Sequence, residues 1–288
     1  MEGKVIILDY GMYLHTSIFA WRNNKAVPAT YTCMNMITSH LRKIGVEPYD
    51  TIIVACDYGH SWRKKYEGEY KANRKEFRES YEDINWKEMY ASFNKLIDDI
   101  DAGSGWYVVK QNSFEADDWM AVACRYYKDR EVILVTFDSD MEQLVAYPNV
   151  KIFSPKVKIK GKKGGYKVIK NPYAVVAKKI GKEVSDNLTN PVISKQDFEN
   201  RKTIVNLLEL PDFVEQPILE KYKELEHIEK EENLELIPFK NIREKMSKLY
   251  NDKNNIVTYQ ECLEYAETKK RRKKNARDKK KHARRSKK

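Results

Sequence analysis

Two acidic motifs decide the fold of this chain: Ser113-Phe114-Glu115-Ala116-Asp117-Asp118 and Thr136-Phe137-Asp138-Ser139-Asp140. The residues between them predict a helix over 119–127, followed by a buried apolar strand over 132–135. A strand–helix–strand unit of this kind brings both motifs to the open end of a parallel sheet, where α/β proteins bind their ligands. The motifs therefore predict an α/β core with an acidic site at the carboxyl ends of its strands.

The charges of the two motifs need a counter-ion. Ser113 is placed to cap the helix, and the helix dipole favours acidic residues in a first turn, which explains the first motif but not the second. Two like charges about 4 Å apart repel by about 1 kcal/mol in water and by about 4 kcal/mol at an effective dielectric constant of 20. Five converging carboxylates would oppose folding without a cation, and hard divalent ions prefer such oxygen ligands.

Two earlier apolar runs also lead into an aspartate. Residues 4–8 and 51–56 are typical of buried strands, and they are followed by Asp9 and Asp57. Each aspartate by itself is more often a turn former or a helix cap than a functional residue. A third run, residues 106–110, predicts a strand directly ahead of the first acidic motif.

The chain has 288 residues, enough for one large domain or two smaller ones. Its net charge of +11 is concentrated in residues 269–288, which hold 14 of the 54 Lys and Arg residues and one of the 43 Asp and Glu residues. This run predicts a disordered tail or a frayed helix extending from residue 258. Four scattered cysteines without metal or disulfide spacing predict a cytoplasmic location, and we expect neither a signal peptide nor a membrane span.

Residues 60–82 differ in composition from the rest of the predicted core. Leu, Ile and Val are absent, and Lys and Arg are interleaved with Trp62, Tyr66, Tyr70 and Phe77. A solvated loop explains such a charge run, but aromatic residues among basic ones are also typical of surfaces that bind a single nucleic-acid strand. From these residues alone the two interpretations are about equally supported.

The other elements follow the order of an α/β protein with an added helical region. Helical spacing predicts one helix that ends at Gly45 and another from Trp86 to Ile100, and residues 151–170 predict a basic β-hairpin or mobile loop. Asn171-Pro172 predicts a further helix start. More helical segments follow at 196–210, 215–232, 238–250 and from 258. We expect a parallel-sheet core with flanking helices over 1–190, a helical C-terminal region over 191–268 and a basic tail over 269–288.

Together these motifs resemble the structure-specific 5′ nucleases, also called flap endonucleases, and among them the ribonucleases H of T-even-type bacteriophages. The resemblance covers roughly residues 4–190. It rests on the strand-end motifs, the basic-aromatic segment and the acidic motifs: Leu8-Asp9-Tyr10-Gly11, Cys56-Asp57, Trp62-Arg63-Lys64-Lys65-Tyr66, Tyr70-Lys71-Ala72-Asn73-Arg74, Glu115-Ala116-Asp117-Asp118 and Asp138-Ser139-Asp140. A helical Glu-Ala-Asp-Asp followed by a strand-borne Asp-x-Asp is a specific signature.

The resemblance implies a 5′-nuclease or PIN-like core and a phosphodiesterase that uses two Mg²⁺ ions, for which Mn²⁺ can substitute. Such ions activate water and stabilise both oxygens of an in-line displacement. The implied metal ligands are Asp9, Asp57, Glu115, Asp117, Asp118, Asp138, Asp140, Glu183 and Asp186. Asp117 and Asp138 are the implied catalytic centre among them.

The implied nucleic-acid contacts lie in the basic-aromatic segment. Lys71 and Arg74 would contact the scissile phosphate as catalytic residues, and Tyr70 would stack on a nearby base. Arg63 and Lys64 are the further implied nucleic-acid-binding residues. The resemblance thus favours a functional surface over a solvated loop.

Two features depart from the family pattern. The later metal segment usually reads Asp-x-x-Asp, whereas here Glu183 precedes Asp186 at that spacing. Many relatives then carry a Gly-rich helix–turn–helix that holds duplex backbone, but residues 187–196 contain no glycine. Duplex binding by that device is therefore in doubt, and the basic tail is not a family hallmark.

We expect a 5′→3′ nuclease that removes RNA primers or 5′ DNA ends during lagging-strand replication. DNA and RNA–DNA hybrid with 5′ ends are the expected substrates, and the family implies a sliding clamp and a single-strand-binding protein as partners of a monomer. A PIN-type ribonuclease is one alternative, although such domains are usually shorter and lack the basic-aromatic segment. A non-catalytic nucleic-acid-binding scaffold is the other, although the carboxylates make little sense without metal.

Overall fold

Within residues 3–174 and 194–285, which the computed structural model describes, six strands form one sheet. They are β1 Val5–Asp9, β2 Thr51–Ala55, β3 Tyr107–Val109, β4 Val132–Val135, β5 Val150–Ile159 and β6 Lys162–Tyr166. Their order is β3-β2-β1-β4-β5-β6; the first five run parallel, and β6 returns antiparallel beside β5. The predicted parallel-sheet core and basic hairpin are confirmed.

The central strand β1 is buried on both faces. Ile6 and Leu8 pack into one hydrophobic core, and Val5 and Ile7 pack into a second core on the other face. Successive side chains of a strand point to opposite faces, so an uninterrupted run of Val, Ile and Leu is required here. This burial fixes the position of Asp9, which ends the strand.

Nine α-helices lie in the described part of the chain: α1 Tyr10–Asn23, α2 Ala29–Ile44, α3 Asn73–Glu79, α4 Trp86–Gly103, α5 Ala116–Tyr126, α6 Lys195–Val205, α7 Asp212–Leu225, α8 Lys240–Ser247 and α9 Tyr259–Arg285. Short 3₁₀ segments lie at Trp62–Lys65, Asp140–Ala146 and Leu234–Leu236. In α2, Gly45 ends the helix with φ +73°, as predicted. None of these helices is long and apolar enough to cross a membrane.

The C-terminal helices complete the two cores. Tyr222 of α7 donates a hydrogen bond to the Trp119 carbonyl of α5 (2.7 Å), and both side chains are buried. On the other face, Ile242 and Met246 of α8 join the core that contains α2. The helical region predicted for residues 191–268 therefore covers the sheet on both sides.

Two local features differ from the predictions, and a third is one of two predicted alternatives. Helix α1 was not predicted separately, although its buried residues form part of the core. Ser113 does not cap α5: it has φ +78°, and Glu115 is the capping residue, in a capping box with Asp118. The tail is the second of the predicted alternatives, because α9 continues without a break to Arg285.

Candidate active site

Three aspartates meet at one edge of the sheet. Asp9 ends β1, Asp57 follows β2 by two residues, and Asp138 follows β4 by three residues. Because β2, β1 and β4 are parallel neighbours, their carboxyl ends lie at the same edge. The sequence prediction that strand ends bring the acidic residues together is borne out for these three.

Asp9 is held in place by two hydrogen bonds. Its Oδ1 accepts from the Met12 backbone N–H (3.0 Å), and its Oδ2 accepts from the Thr136 hydroxyl (2.8 Å). Burial, together with the charges of Asp57 and Asp138, raises the pKa of Asp9 to about 6 despite these bonds. The carboxylates at this edge therefore repel one another.

Asp117 adds a fourth carboxylate from the first turn of α5. Burial raises its pKa well above the ordinary value, and the neighbouring Asp138 adds to this effect. The start of α5 is tied to β2, because the Ala116 backbone N–H donates to Asp57 Oδ1 (2.7 Å). We call Asp9, Asp57, Asp117 and Asp138 the carboxylate bowl.

Asp138 and Asp140 belong to one tight turn after β4. The Asp138 backbone N–H donates to the Thr136 hydroxyl (3.0 Å), and the Asp140 backbone N–H donates to Asp138 Oδ1 (2.9 Å). Asp140 then begins a 3₁₀ segment and is half-buried. Lys167, which directly follows β6, stabilises this turn. It donates to Glu142 Oε1 (2.9 Å) and to the Asp138 carbonyl (3.3 Å).

Asp118 does not join the carboxylate bowl, which corrects the prediction that it binds metal. It is fully buried (0 % exposed), and its two oxygens accept from Arg63 (2.7 and 3.2 Å). The Trp62 indole N–H (3.0 Å) and the Glu115 backbone N–H (2.9 Å) also donate to it. These four hydrogen bonds leave Asp118 with a structural role at the start of α5.

Arg63 is also placed differently from its prediction as a nucleic-acid contact. Only 2 % of it is exposed, so it has no surface to offer to a nucleic acid. Besides Asp118, it donates to Glu115 Oε2 (2.7 Å) and to the Ile204 carbonyl of α6 (3.0 Å). Arg63 therefore joins the basic-aromatic segment, the acidic helix and the C-terminal region.

Glu115 faces cations rather than the other carboxylates. It accepts from Arg63, from the Tyr70 hydroxyl (3.1 Å) and from Lys71 Nζ. Burial alone would raise its pKa, but the charges of Lys71 and Arg63 lower the pKa of Glu115 to about 2. Its predicted role as a metal ligand is thus opposed in this structure by two cations already bound to it.

The basic-aromatic segment lies against the bowl. A cleft of about 210 Å³ is lined by Asp57, Lys71 and the exposed side chains of Lys64 and Arg74, among others. Lys71 has φ +61°, and its ammonium lies 5.1 Å from the Tyr70 ring centre. The structure brings Lys64, Lys71 and Arg74 to the site, as predicted from the sequence.

Tyr70 is the exception in this segment. It is 5 % exposed, and its ring packs with Ile204 and Val205. Its hydroxyl is engaged by Glu115. A base could not stack on this ring without displacing α6, so the predicted stacking does not occur in this arrangement.

The donor set of the bowl suits a hard divalent ion, since all four groups are carboxylates. In the part of the chain that the structure describes, no three carboxylate, imidazole or thiol groups are arranged to hold one ion between them. Mg²⁺ usually keeps several waters and is bound through one or two carboxylates. The carboxylate bowl can supply that number of ligands to each ion. The predicted ligands Glu183 and Asp186 lie outside the described residues.

Sequence reasoning missed Thr136 and Lys167 as supporting residues. Thr136 is fully buried and bonds both Asp9 and the Asp138 backbone. The sequence feature that could have identified Thr136 is its position as the first polar residue after the apolar strand β4. Lys167 has no such signal, because only the return of β6 beside β5 brings it to the turn.

Comparison with known proteins finds a matching family model and a similar phage protein. A family model described as 5′-3′ exonuclease, N-terminal resolvase-like domain, matches residues 4–180. The ribonuclease H of Enterobacteria phage T4 is 31% identical over 126 residues, which are 42% of this chain and 41% of the phage protein. The match thus spans about two fifths of the length of that relative.

Two solved structures of bacteriophage T5 proteins share the fold of this chain. A T5 protein co-crystallised with metal ions has a TM-score of 0.51 at 18% identity, covering 78% of this chain and all of the phage chain. A T5 flap endonuclease in a pseudo-enzyme-product complex with DNA and metal ions has a TM-score of 0.50 at 17% identity, covering 85% of this chain and 99% of the phage chain. At these identities the likeness shows a common fold.

Proposed function

Because the chain belongs to the family of 5′-3′ exonucleases and flap endonucleases, we propose that it hydrolyses phosphodiester bonds near 5′ ends with two Mg²⁺ ions. The observation that supports this best is the carboxylate bowl, in which the half-buried Asp9, Asp117 and Asp138 and the exposed Asp57 converge at one sheet edge. Such a cluster raises the free energy of the metal-free protein and is relieved by divalent cations. Mn²⁺ is expected to substitute for Mg²⁺.

Asp9, Asp57, Asp117 and Asp138 would hold the ions, and Asp140, Glu183 and Asp186 are the proposed further ligands of the second ion. Bound divalent ions supply a Lewis acid that activates a water and stabilises charge on the phosphate. Thr136 keeps the Asp9 carboxylate oriented by donating to Oδ2. The capping of α5 by Glu115 and Asp118 fixes the first turn that carries Asp117.

Lys71 and Arg74 supply positive charge beside the bowl. Burial works against the charge of Lys71, but Tyr70 and the carboxylates of Glu115 and Asp57 raise its pKa above the ordinary value. These neighbours therefore favour the protonated form of Lys71. A fixed cation at this place would stabilise the developing charge on a phosphate held over the bowl.

The proposed substrates are RNA–DNA hybrid and DNA near 5′ ends or flaps, and the proposed role is removal of RNA primers in lagging-strand replication. The likeness to the phage T4 ribonuclease H supports this choice. The proposal includes a monomer in the cytoplasm, of a bacterial host if the gene is a phage gene. A sliding clamp and a single-strand-binding protein are the proposed partners.

The test compares 5′-labelled RNA–DNA hybrid, nicked duplex, forked DNA and a structured RNA, each with Mg²⁺, Mn²⁺ or a chelator. We expect metal-dependent products that begin at the 5′ end of the hybrid and of the DNA substrates, with product lengths that separate exonuclease from endonuclease action. Asp138→Asn is the matched control for a contaminating nuclease. Cleavage of the structured RNA alone would favour the PIN-type alternative, and activity in chelator would contradict the proposal.

A further inference from the structure

A second basic surface lies apart from the carboxylate bowl. A groove of about 800 Å³ is formed by the β5–β6 hairpin, the C-terminal end of α2 and the first turns of α9. Six basic side chains line it: Arg42, Lys43, Lys160, Lys162, Lys163 and Arg272. We call this surface the hairpin groove. Its lining includes only two acidic residues, Glu261 and Glu264.

Backbone contacts fix the shape of the hairpin groove. Lys43 Nζ donates to the Lys163 carbonyl (2.8 Å), and the Lys43 carbonyl accepts from the Val257 backbone N–H (2.8 Å). Gly164 has φ +90°, and a Cβ there would lie 3.3 Å from the Lys43 side chain. Glycine at this position therefore allows the hairpin to lie on the end of α2.

The acidic residues of the groove are engaged by their own helix. Glu261 accepts from the Thr258 backbone N–H (2.9 Å) and hydroxyl (3.2 Å), which caps α9, and Glu264 accepts from Gln260 (3.0 Å). Residues 151–170 contain eight lysines and no acidic residue. Hydrogen bonds from Thr258, and after them the charge of Lys160, lower the pKa of Glu261, so one hairpin lysine lies near an acidic residue of the groove.

Like charges face one another at two points of this surface. Partial burial and the nearby charge of Lys162 lower the pKa of Lys43. Beside the groove, the neighbouring Lys170 lowers the pKa of Lys270, where the basic half of α9 begins. The basic run 269–274 of α9 continues this surface for about 9 Å along the helix axis. A polyanion bound here would relieve these repulsions.

The composition of the groove favours a duplex over a single strand. Single strands are bound through aromatic rings on which bases stack, but Tyr265 is the one aromatic residue among those lining the groove. Lysine and arginine without such rings bind phosphates, which is how proteins hold duplex backbone without reading its sequence. The ligand indicated by this chemistry is double-stranded nucleic acid.

The hairpin groove lies apart from the bowl along β6. This strand begins with Lys162 and Lys163, which line the groove, and Lys167 directly after it donates to the Asp138 carbonyl (3.3 Å). A five-residue strand spans about 16 Å, which is longer than a lysine side chain. A contact made at the hairpin lysines can therefore add affinity without touching the carboxylates.

We propose that the hairpin groove is a second nucleic-acid site, which binds the phosphate backbone of duplex substrate at a distance from the cleaved bond. This rests on the proposed function, because it assumes a nucleic-acid substrate. Binding of duplex by the groove does not depend on a Gly-rich segment, and residues 187–196 contain no glycine.

The test replaces three exposed groove lysines in the full chain: Lys160→Ala, Lys162→Ala and Lys163→Ala together. The matched control, Lys221→Ala, Lys223→Ala and Lys230→Ala, makes the same change in net charge at lysines already paired with Glu224, Glu220 and Asp101. Affinity for a blunt duplex and for a single strand of equal length is measured in chelator over a range of salt. Cleavage at saturating substrate is measured in Mg²⁺.

Each lost phosphate contact on duplex flattens the slope of log K against log salt by about 0.9. We expect the groove variant to flatten the duplex slope by about 2 to 3, the control variant to leave it unchanged, and both to keep the saturated cleavage rate. An unchanged slope, or an equal change in the control, would overturn the proposal. An equal loss of single-strand affinity would overturn the choice of duplex.

The two proposals can fail separately. Wild-type protein that binds duplex but cleaves nothing would refute the proposed function and leave the groove measurement valid. If the triple variant does not fold, judged by its circular dichroism, the single charge reversal Lys162→Glu at an exposed position provides the same readout.

Discussion

Replacing Arg63 by methionine is expected to destabilise the protein strongly. The guanidinium makes four hydrogen bonds from a buried position: two to Asp118, one to Glu115 and one to the Ile204 carbonyl. Methionine fills much of the same space but supplies neither charge nor donors. The change therefore leaves two buried carboxylates and a carbonyl with fewer partners.

The magnitude follows from which groups lose their partner. Glu115 keeps Lys71 and Tyr70, so Asp118 is the carboxylate left without a cation. Removing one partner of a buried ion pair costs about 3 to 5 kcal/mol. Since small proteins have unfolding free energies of roughly 5 to 15 kcal/mol, we expect a loss of a large part of the stability.

Urea unfolding of wild type and Arg63→Met measures this loss. The adjacent Lys64→Met is the control, because Lys64 is exposed and a surface substitution usually changes stability by less than about 0.5 kcal/mol. The double variant Arg63→Met/Asp118→Asn should recover part of the loss, since it removes the uncompensated charge. A loss below about 1 kcal/mol for Arg63→Met would refute the assignment of Arg63 as the buried partner of Asp118.

Four further predictions concern charge. Asp138→Asn should raise the stability of the metal-free protein in urea unfolding, because Asp138 repels Asp9 and Asp117, and should lower cleavage by orders of magnitude; near-normal cleavage would rule out the bowl as the catalytic site. Lys71→Ala should lower the single-turnover rate more than substrate affinity; weaker binding at an unchanged rate would make Lys71 a binding residue only. Deleting residues 269–288 should flatten the salt dependence of binding by several units without changing saturated turnover, and an unchanged slope would make the tail idle. Burial lowers the pKa of His40 to about 4, so its contribution to stability is complete above the unfolded pKa of about 6.5 and is lost as pH falls from there to about 4. At about 1.4 kcal/mol per pH unit this is about 3 kcal/mol. In urea unfolding, wild type should lose about this much more stability than His40→Gln between pH 7 and pH 4, and parallel pH profiles would contradict it.

The sequence by itself determined the sheet and the edge where the site lies. Strands such as β1 and β4 are runs of Val, Ile and Leu buried on both faces, and a parallel strand of that kind has no other stable place than the centre of an α/β sheet. Once the strands are parallel, Asp9, Asp57 and Asp138 must share one edge. The local sequence pattern was sufficient here, because both the apolar strands and the aspartates that follow them are defined by residues adjacent in the chain.

The tertiary structure alone decided which acidic residues face that edge. Asp117 and Asp118 are adjacent on α5 and are equivalent in the motif, yet one lies in the bowl and the other is bound to Arg63. Successive helix residues point about 100° apart, so the choice depends on what packs against each face. The partner of Asp118 lies 55 residues away, and the Ile204 carbonyl that completes the Arg63 site lies 141 residues from Arg63. Contacts at such separations leave no local spacing in the sequence, because the groups meet only after the C-terminal helices pack on the sheet.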